Sequence, residues 1–388
     1  MKVLILAPQP FYQARGTPIA VDLLVRALSE RGDSVDLLTF HEGSDRLYEG
    51  FRIHRIRPFF EIKGVRPGFS IKKLYCDIHL FFRFVCLIKK HHYDLVHAIE
   101  ESAFMALAVC SLIKKPFVYD MDSSMTTQLV SKLRFLRPFT KFFRWVEALP
   151  MRYANAVVPM CDDLAQEARH AGAKHVIVLK DISLIQPGDG HGKGESLRKN
   201  LVLPRKIAMY IGNLEYYQGI DLMLESFALV REKTDNVALI VIGGVKEDIS
   251  KYQAKAQQLG IGGAVHFLGP KPVAELEQYM GQANILISPR IEGINTPMKI
   301  YSYLDSGVPV LATDLPTHTQ VMNRKIAMLA PPEKKAFAKA MIRLIEDEAL
   351  AILLANEARN FIQRDHSYHS FRKTLHELYN QLEKKVCN

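Results

Sequence analysis

Short apolar runs alternate along this chain with longer stretches in which apolar positions recur every three to four residues. The runs in the first half are Val3–Ala7, Ser34–Thr39, Leu95–Ala98, Phe117–Tyr119, Ala156–Pro159 and Val176–Leu179; those in the second are Ile207–Ile211, Ala238–Ile242, Val265–Phe267, Ile285–Ser288 and Val310–Ala312. Between them, Ile19–Arg31 and Asp162–Ala171 have a helical period. Strands that are apolar throughout are buried on both faces, and alternation with helices makes their sheet parallel. A chain of 388 residues is long for one core, so two doubly wound α/β domains are expected. The predicted division is an N-terminal domain over 1–185, a linker over 186–204, a C-terminal domain over 205–365 and a closing helix over 366–388. The linker contains the glycine-rich, charged run Gln186–Glu195, and the closing helix has its clearest period between Phe371 and Val386. Parallel sheets bind ligands at the carboxyl ends of their strands, so two such domains facing each other would form a binding cleft.

The loops after the predicted strands carry the candidate chemistry. The first strand leads through Arg15-Gly16-Thr17-Pro18 into a helix, a turn that lets backbone approach a ligand and gives Arg15 a phosphate or a sugar hydroxyl to meet. A purely structural turn reads equally well there, and the spaced glycines of a dinucleotide fingerprint are missing. His97, Glu100 and Glu101 close another strand; a structural role suits the histidine as well as a catalytic one, but does not need two adjacent carboxylates. Asp120 and Asp122 form an Asp-x-Asp triplet, a pattern that elsewhere holds a divalent cation. Hydrogen bonding to an acceptor is the preferred reading, and no metal is expected. In the second half, Gly212 and Gly219 bracket a polar loop containing Asn213 and Gln218, and Gly244 offers a further close approach.

The stretch from Ser288 to His318 is the most informative. It reads as strand, glycine/proline loop, short helix, glycine and strand, and it gathers Arg290, Glu292, Gly293, Ile294, Asn295, Thr296 and Lys299 around a helix start. A helix N-terminus carries about half a positive charge and unpaired N–H donors, which suit a phosphate. A carboxylate beside such a site makes sense when the ligand also has hydroxyl groups, as a sugar nucleotide does.

Composition alters this picture in two ways. The five cysteines (Cys76, Cys86, Cys110, Cys161 and Cys387) are scattered without metal-ligand spacing, which fits a reducing compartment. With no signal peptide and no apolar run long enough to cross a bilayer, a cytoplasmic protein is expected. The net charge of +10 is concentrated in two basic, aromatic-rich segments, 51–90 and 132–145. These read either as an anionic-membrane surface, giving peripheral attachment to the inner face, or as core aromatics beside a solvated charged face. No nucleic-acid-binding motif is present, so no nucleic acid is expected as a partner.

Together the Arg15-Gly16-Thr17 turn, the strand bearing His97, the Gly212–Gly219 loop and the run from Glu292-Gly293 to Gly307-Val308-Pro309-Val310 resemble the family 4 glycosyltransferases. The resemblance spans almost the whole chain and implies the GT-B fold, with the last helix crossing back to the N-terminal domain. It implies a retaining transferase that moves a sugar from a nucleotide-diphosphate sugar to a glycan or lipid-linked acceptor in cell-surface polysaccharide or glycolipid synthesis. No cofactor is implied beyond that co-substrate. By the same resemblance Gly16 lies against the donor phosphates, Glu292 holds donor-sugar hydroxyls and the backbone of Ile294 to Thr296 contacts the donor. Four positions depart from the family pattern. Ser302 stands where a ribose-binding Glu is common, and Asn213 and Gln218 stand where an Arg and a Lys usually clamp the diphosphate. Lys299, Arg290 or Arg15 could supply the replacement charge, and Lys299 is preferred because it follows Pro297 at the helix start. The histidine often found near the donor sugar matches Ile99, with His97 two residues earlier. These departures leave open an alternative, a catalytically silent GT-B subunit that binds sugar or serves as a scaffold in a glycan assembly.

Overall fold

The computed structural model describes residues 1–13, 16–60, 62–65, 70–185, 196–201, 203–293 and 296–386. Arg15, Ile294, Asn295, Cys387 and the linker run 186–195 lie outside the described residues. The chain forms two compact units, Met1–Asp181 with Phe371–Asn388, and Ile182–Ser370.

The first unit is built on six parallel strands: β1 (Lys2–Ala7), β2 (Ser34–Thr39), β3 (Phe51–Arg55), β4 (Leu95–Ile99), β5 (Phe117–Met121) and β6 (Ala156–Pro159). Their order is β3-β2-β1-β4-β5-β6. The second unit repeats the scheme with β7 (Lys206–Ile211), β8 (Val237–Ile242), β9 (Val265–Gly269), β10 (Ile285–Ser288), β11 (Val310–Thr313) and β12 (Met328–Ala330), in the order β12-β11-β10-β7-β8-β9. Both are doubly wound sheets whose strand order reverses between the first and fourth strands. The crevice at that switch point, between β1 and β4 and again between β7 and β10, is where such sheets receive ligands. Ser102 closes the first switch point, its buried hydroxyl lying 3.0 Å from the carbonyl of Leu6 and 2.7 Å from that of Ile99.

Burial explains which strands the sequence predicted. Central strands such as β1, β4, β7 and β8 are almost wholly buried. The edge strands β3 and β12 were not predicted, because neither carries a sustained apolar run. β3 reads Phe-Arg-Ile-His-Arg and leaves every residue at least partly exposed, and β12 has only 3 residues. The predicted strand Val176–Leu179 is not one. It forms a single bridge, Val157 to Val176, and lies half-exposed along the outer side of β6.

Helices cover both faces of each sheet. The helix Ile71–Lys90 begins at Ser70, whose side chain accepts the Lys73 amide at 3.2 Å, and it ends on Lys89 and Lys90, charges that suit a helix C-terminus. It buries Cys76, Leu80, Phe84 and Leu87 while Ile71, Leu74, Ile78 and Phe82 stay exposed. The C-terminal helix Tyr368–Val386 buries Phe371, Leu375, Leu378, Tyr379 and Leu382, one helical stripe, within the first unit. Arg31 fixes its outer face, donating to Asn380 Oδ1 at 2.5 Å and to Glu383 Oε2 at 3.1 Å.

Candidate functional site

In the second unit, the loops that follow β7, β8 and β10 meet through close backbone contacts. Gly243 has φ +109°, and a Cβ there would lie 2.2 Å from the Gly212 carbonyl oxygen. Gly219 has φ +72°, and its Cβ would lie 2.0 Å from the Pro289 carbonyl oxygen. The Ile291 amide donates to the Tyr217 carbonyl at 3.0 Å and fastens the two loops together. Glycine is therefore required here by the approach of one chain segment to another as well as by φ.

Lys299, a half-buried residue, opens the helix Lys299–Asp305, and its ammonium sits 4.0 Å from the centroid of the Tyr210 ring. Its Nζ donates to Gln218 Oε1 at 3.4 Å. No carboxylate among the described residues pairs with it. Burial, and then the neighbouring Arg290 guanidinium, push the Lys299 ammonium down to about 7. Arg290 is itself shifted down by burial; its Nε donates to the Glu292 carbonyl at 2.7 Å, and its guanidinium lies 5.2 Å from the Tyr217 ring centroid. Two adjacent basic groups with no carboxylate paired to them among the described residues suit an anionic ligand. Thr296 adds a second sign: its Oγ1 is buried and has no hydrogen-bond partner among the described residues. Leaving such a group unmet costs about 1–3 kcal/mol, which a ligand acceptor would recover.

The remaining predicted residues of this unit take distinct positions. Glu292 and Gly293 are exposed at the rim, and a Cβ on Gly293 would lie 2.2 Å from Arg290 Nη2. Asn213 is exposed and donates to the Tyr217 hydroxyl at 3.2 Å. Gly244 is half-buried, its φ of +84° and the Leu214 side chain leaving no room for a Cβ. Ser302 is buried, and its Oγ accepts the Leu184 amide at 3.1 Å, so it serves to hold the entry of the unit.

A clamp missed by the sequence reading supports this loop. His318, fully buried, links Ser288 at the end of β10 (Nε2, 2.8 Å) to Thr313 at the end of β11 (Nδ1 to the carbonyl, 3.0 Å). Thr313 Oγ1 in turn donates to the Arg290 carbonyl at 2.5 Å. This network assigns the Nδ1–H tautomer. Burial pushes the imidazole down to about 4 from an ordinary value of 6.5. The folded pKa lies below the unfolded one, so the unfolded chain binds the proton first and stability falls as pH drops through that window. Between pH 7.5 and 5 this group is expected to remove about 2 kcal/mol. Denaturant unfolding of the wild type and of His318→Asn at both pH values measures it; an equal pH response in the two proteins would exclude the clamp. The comparison with the variant is needed because Asp181, pushed up to about 7, and Asp77, pushed up to about 6, change stability in the opposite direction.

In the first unit the acidic candidates gather at the carboxyl ends of β4 and β5. Glu100 has φ +49°, a strained left-handed value for this residue, and its Oε1 accepts the Ser123 hydroxyl at 3.2 Å. Glu101 forms an ion pair with Lys73. Burial, then the charges of Asp120, Glu100 and Asp181, raise the Asp122 carboxyl well above its usual range. Asp181, which sequence reasoning did not single out, joins this group; burial and Asp120 push it up to about 7. His97 is fully buried, with Nε2 3.1 Å from Asp120 Oδ2 and Nδ1 2.8 Å from the Tyr379 hydroxyl. Among the described residues, no group of three or more His, Cys, Asp and Glu side chains is arranged to hold a metal ion. At the other switch-point loop, Gly16 is exposed at the start of the helix Gly16–Glu30, and a Cβ there would meet nothing within 4 Å.

A family model described as Glycosyltransferase Family 4 matches residues 14–188, and one described as Glycosyl transferases group 1 matches residues 194–364. The chain belongs to the group 1 and family 4 glycosyltransferases. This glycosyltransferase-family chain is 26% identical over 214 residues to D-inositol 3-phosphate glycosyltransferase of Corynebacterium jeikeium (strain K411), a match over 52% of this chain and 50% of the relative. It thus spans about half the length of the curated relatives it first matches. Sucrose-phosphate synthase from Thermosynechococcus elongatus shares its fold with a TM-score of 0.77 and 19% identity over 99% of both chains. Anabaena HepE, solved in complex with UDP, does so with a TM-score of 0.74 and 16% identity over 98% of this chain and 100% of that one. The glycosyltransferase family chain therefore has the two-domain α/β architecture of GT-B proteins.

Proposed function

We propose that this chain is a retaining glycosyltransferase that takes a sugar from a nucleotide-diphosphate sugar and delivers it to a glycan or lipid-linked acceptor. The observation that carries the reading is the Lys299 ammonium, held over Tyr210 beside Arg290, without a carboxylate partner among the described residues and beside loops that their glycines allow to pack closely together. Such a site suits the diphosphate of the donor, and the UDP bound by the HepE fold neighbour agrees with that chemistry. Gln218 accounts for the departure from the usual pair of cations: its amide oxygen faces Lys299, where a lysine would repel it.

The chemistry asked of these residues is electrostatic. As the bond between the anomeric carbon and the diphosphate oxygen breaks, charge accumulates on the departing diphosphate, and Lys299 and Arg290 stabilise it more than they stabilise the ground state. The acceptor hydroxyl bonds to the anomeric carbon from the same face, and its proton passes to the departing phosphate. Glu292 at the rim holds donor-sugar hydroxyls, and Glu100, Asp120 and Asp122 bind the acceptor. No metal enters these steps.

A screen of UDP, GDP, ADP and their sugar conjugates by thermal shift tests the reading, since a ligand that binds the folded state raises the melting temperature. Selective stabilisation by one base, followed by sugar transfer that Glu292→Ala abolishes, is the expected result. The silent-subunit alternative draws on Ser302, whose hydroxyl already holds the Leu184 amide. Sugar-nucleotide binding without turnover would favour it.

The acceptor side is placed by this reading at an anionic membrane. Phe135, Phe139, Phe142 and Trp145 are all exposed, interleaved with the exposed Arg137, Lys141 and Arg144. Among the described residues no helix is long and apolar enough to cross a membrane, and this row would give peripheral attachment on the inner face. Vesicles containing phosphatidylglycerol should sediment the protein, those of phosphatidylcholine alone should not, and Phe142→Ser with Trp145→Ser should release it. Absence of sedimentation with the anionic vesicles would refute the attachment.

A further inference from the structure

His97 has both ring nitrogens engaged and no exposed surface, so it has no atom to offer a ligand. It does connect two residues from different elements, Asp120 and Tyr379. Strand alternation puts His97 of β4 and Asp120 of β5 on one face of the first sheet: His97 is registered with Val118, and Asp120 lies two residues further on. Tyr379 of the C-terminal helix reaches the same face. Its hydroxyl lies 2.8 Å from His97 Nδ1, and its ring is stacked at 15° and 6.1 Å from the imidazole. Asp120 accepts only, so the Nε2–H points to it, and Nδ1 then accepts the Tyr379 O–H.

We propose that Tyr379 is a positioning residue for the acceptor-side carboxylate Asp120, acting through His97. This rests on the transferase reading above, in which Asp120 meets the acceptor. A buried imidazole held by one partner can rotate or change tautomer; held by two, it directs one N–H to one carboxylate oxygen. The donor of this restraint is itself fixed. Tyr379 is buried, its ring lies 5.8 Å from the Arg31 guanidinium, and Arg31 is held by Asp33, Asn380 and Glu383. The N-terminal ammonium bridges Asp33 at 2.8 Å and Glu383 at 3.8 Å. The seating of the last helix is thereby transmitted to an oxygen at the edge of the acceptor surface. Asp120 in turn faces Glu100, Asp122 and Asp181, whose proton affinity its charge raises.

Tyr379→Phe removes the O–H and keeps the ring. UDP release from UDP-glucose, measured with and without the member of an alkyl-glycoside panel that raises it most, separates the two substrates. The variant is expected to raise the acceptor KM roughly tenfold and leave the donor KM unchanged. Ring nitrogen NMR with histidine-labelled protein, assigned with His97→Gln, gives the second readout: one Nε2–H tautomer in the wild type, and a mixture in Tyr379→Phe. Unchanged kinetics in the variant, or both KM values rising together as the melting temperature falls, would overturn the proposal. A mixed tautomer in the wild type would do the same. Should the wild type release no nucleoside diphosphate from any of the UDP, GDP and ADP sugar conjugates while the tautomer still responds to Tyr379→Phe, the relay would stand and the transferase reading, with the acceptor role of Asp120, would fall.

Discussion

Lys299→Met is expected to give a protein that melts higher than the wild type and responds much more weakly to nucleotide. Both effects have one cause. The ordinary lysine value is 10.5, and burial beside Arg290 lowers it to about 7 in the folded, ligand-free chain. A lysine depressed in this way binds its proton more readily in the unfolded state, so stability rises as pH climbs from about 7 to about 10, and below pH 7 the full penalty of the buried charge is present. Methionine fills similar space without charge. It should therefore stabilise the ligand-free protein near neutral pH by a few kcal/mol, to order of magnitude. The same substitution removes a charge-assisted contact worth about 1.5–3 kcal/mol, and nucleotide affinity should fall roughly 10- to 100-fold. Calorimetry of both proteins with and without the stabilising nucleotide sugar reads the two effects together.

The pH dependence of binding is a further consequence of the same shift. A nucleotide sugar has no titrating phosphate between pH 7 and 9, whereas Lys299 must be protonated to meet the diphosphate. Affinity should thus weaken by up to tenfold per pH unit above 7 in the wild type and stay flat in Lys299→Arg, whose guanidinium remains charged. A wild-type affinity that does not change from pH 7 to 9 would show that Lys299 either lies away from the ligand or keeps the proton affinity of an ordinary lysine.

How much of this was legible in the sequence depended on how far apart the contributing residues lie. The buried strands, the glycine loops and the Lys299 helix are local patterns, and apolar runs, turn residues and a loop-to-helix junction express them directly. The edge strand Phe51–Arg55 carries no such pattern, since half of its hydrogen-bonding groups and much of its surface face outward. The Lys299–Gln218 contact spans 81 residues and the His97–Tyr379 contact 282. A tyrosine on the apolar stripe of an amphipathic helix reads as core, and nothing local says that its hydroxyl meets a strand histidine. Asp181 and His318 were missed for the same reason: each is a lone polar residue until the sheet assembles its neighbours. Exposure also divides the aromatics of the two basic segments: Phe135, Phe139, Phe142 and Trp145 face outward while Phe84 and Leu87 are core.

Gly219→Ala is expected to cost far more than Gly307→Ala, although both glycines have nearly the same backbone angle. At Gly307, φ is +75° and a Cβ would meet nothing within 4 Å, so the cost is that of the left-handed conformation, about 1 kcal/mol. At Gly219, φ is +72° and the Cβ would also lie 2.0 Å from the Pro289 carbonyl oxygen, 2.9 Å from its carbon and 3.1 Å from Ile291 Cγ2. A backbone carbonyl cannot swing aside as a side chain can. The loop after β7 must separate from the loop after β10, which breaks the hydrogen bond from Ile291 to Tyr217 and moves Gln218 away from Lys299. The loss should be about 3 kcal/mol or more, read as a lower-melting transition of the second unit, and the nucleotide response should disappear with it. Equal shifts for the two alanine variants would mean that the loops are not in contact at Gly219. A Gly219→Ala protein that still binds nucleotide normally would mean that the closeness of the two loops is not what brings Lys299 and Arg290 to the phosphates.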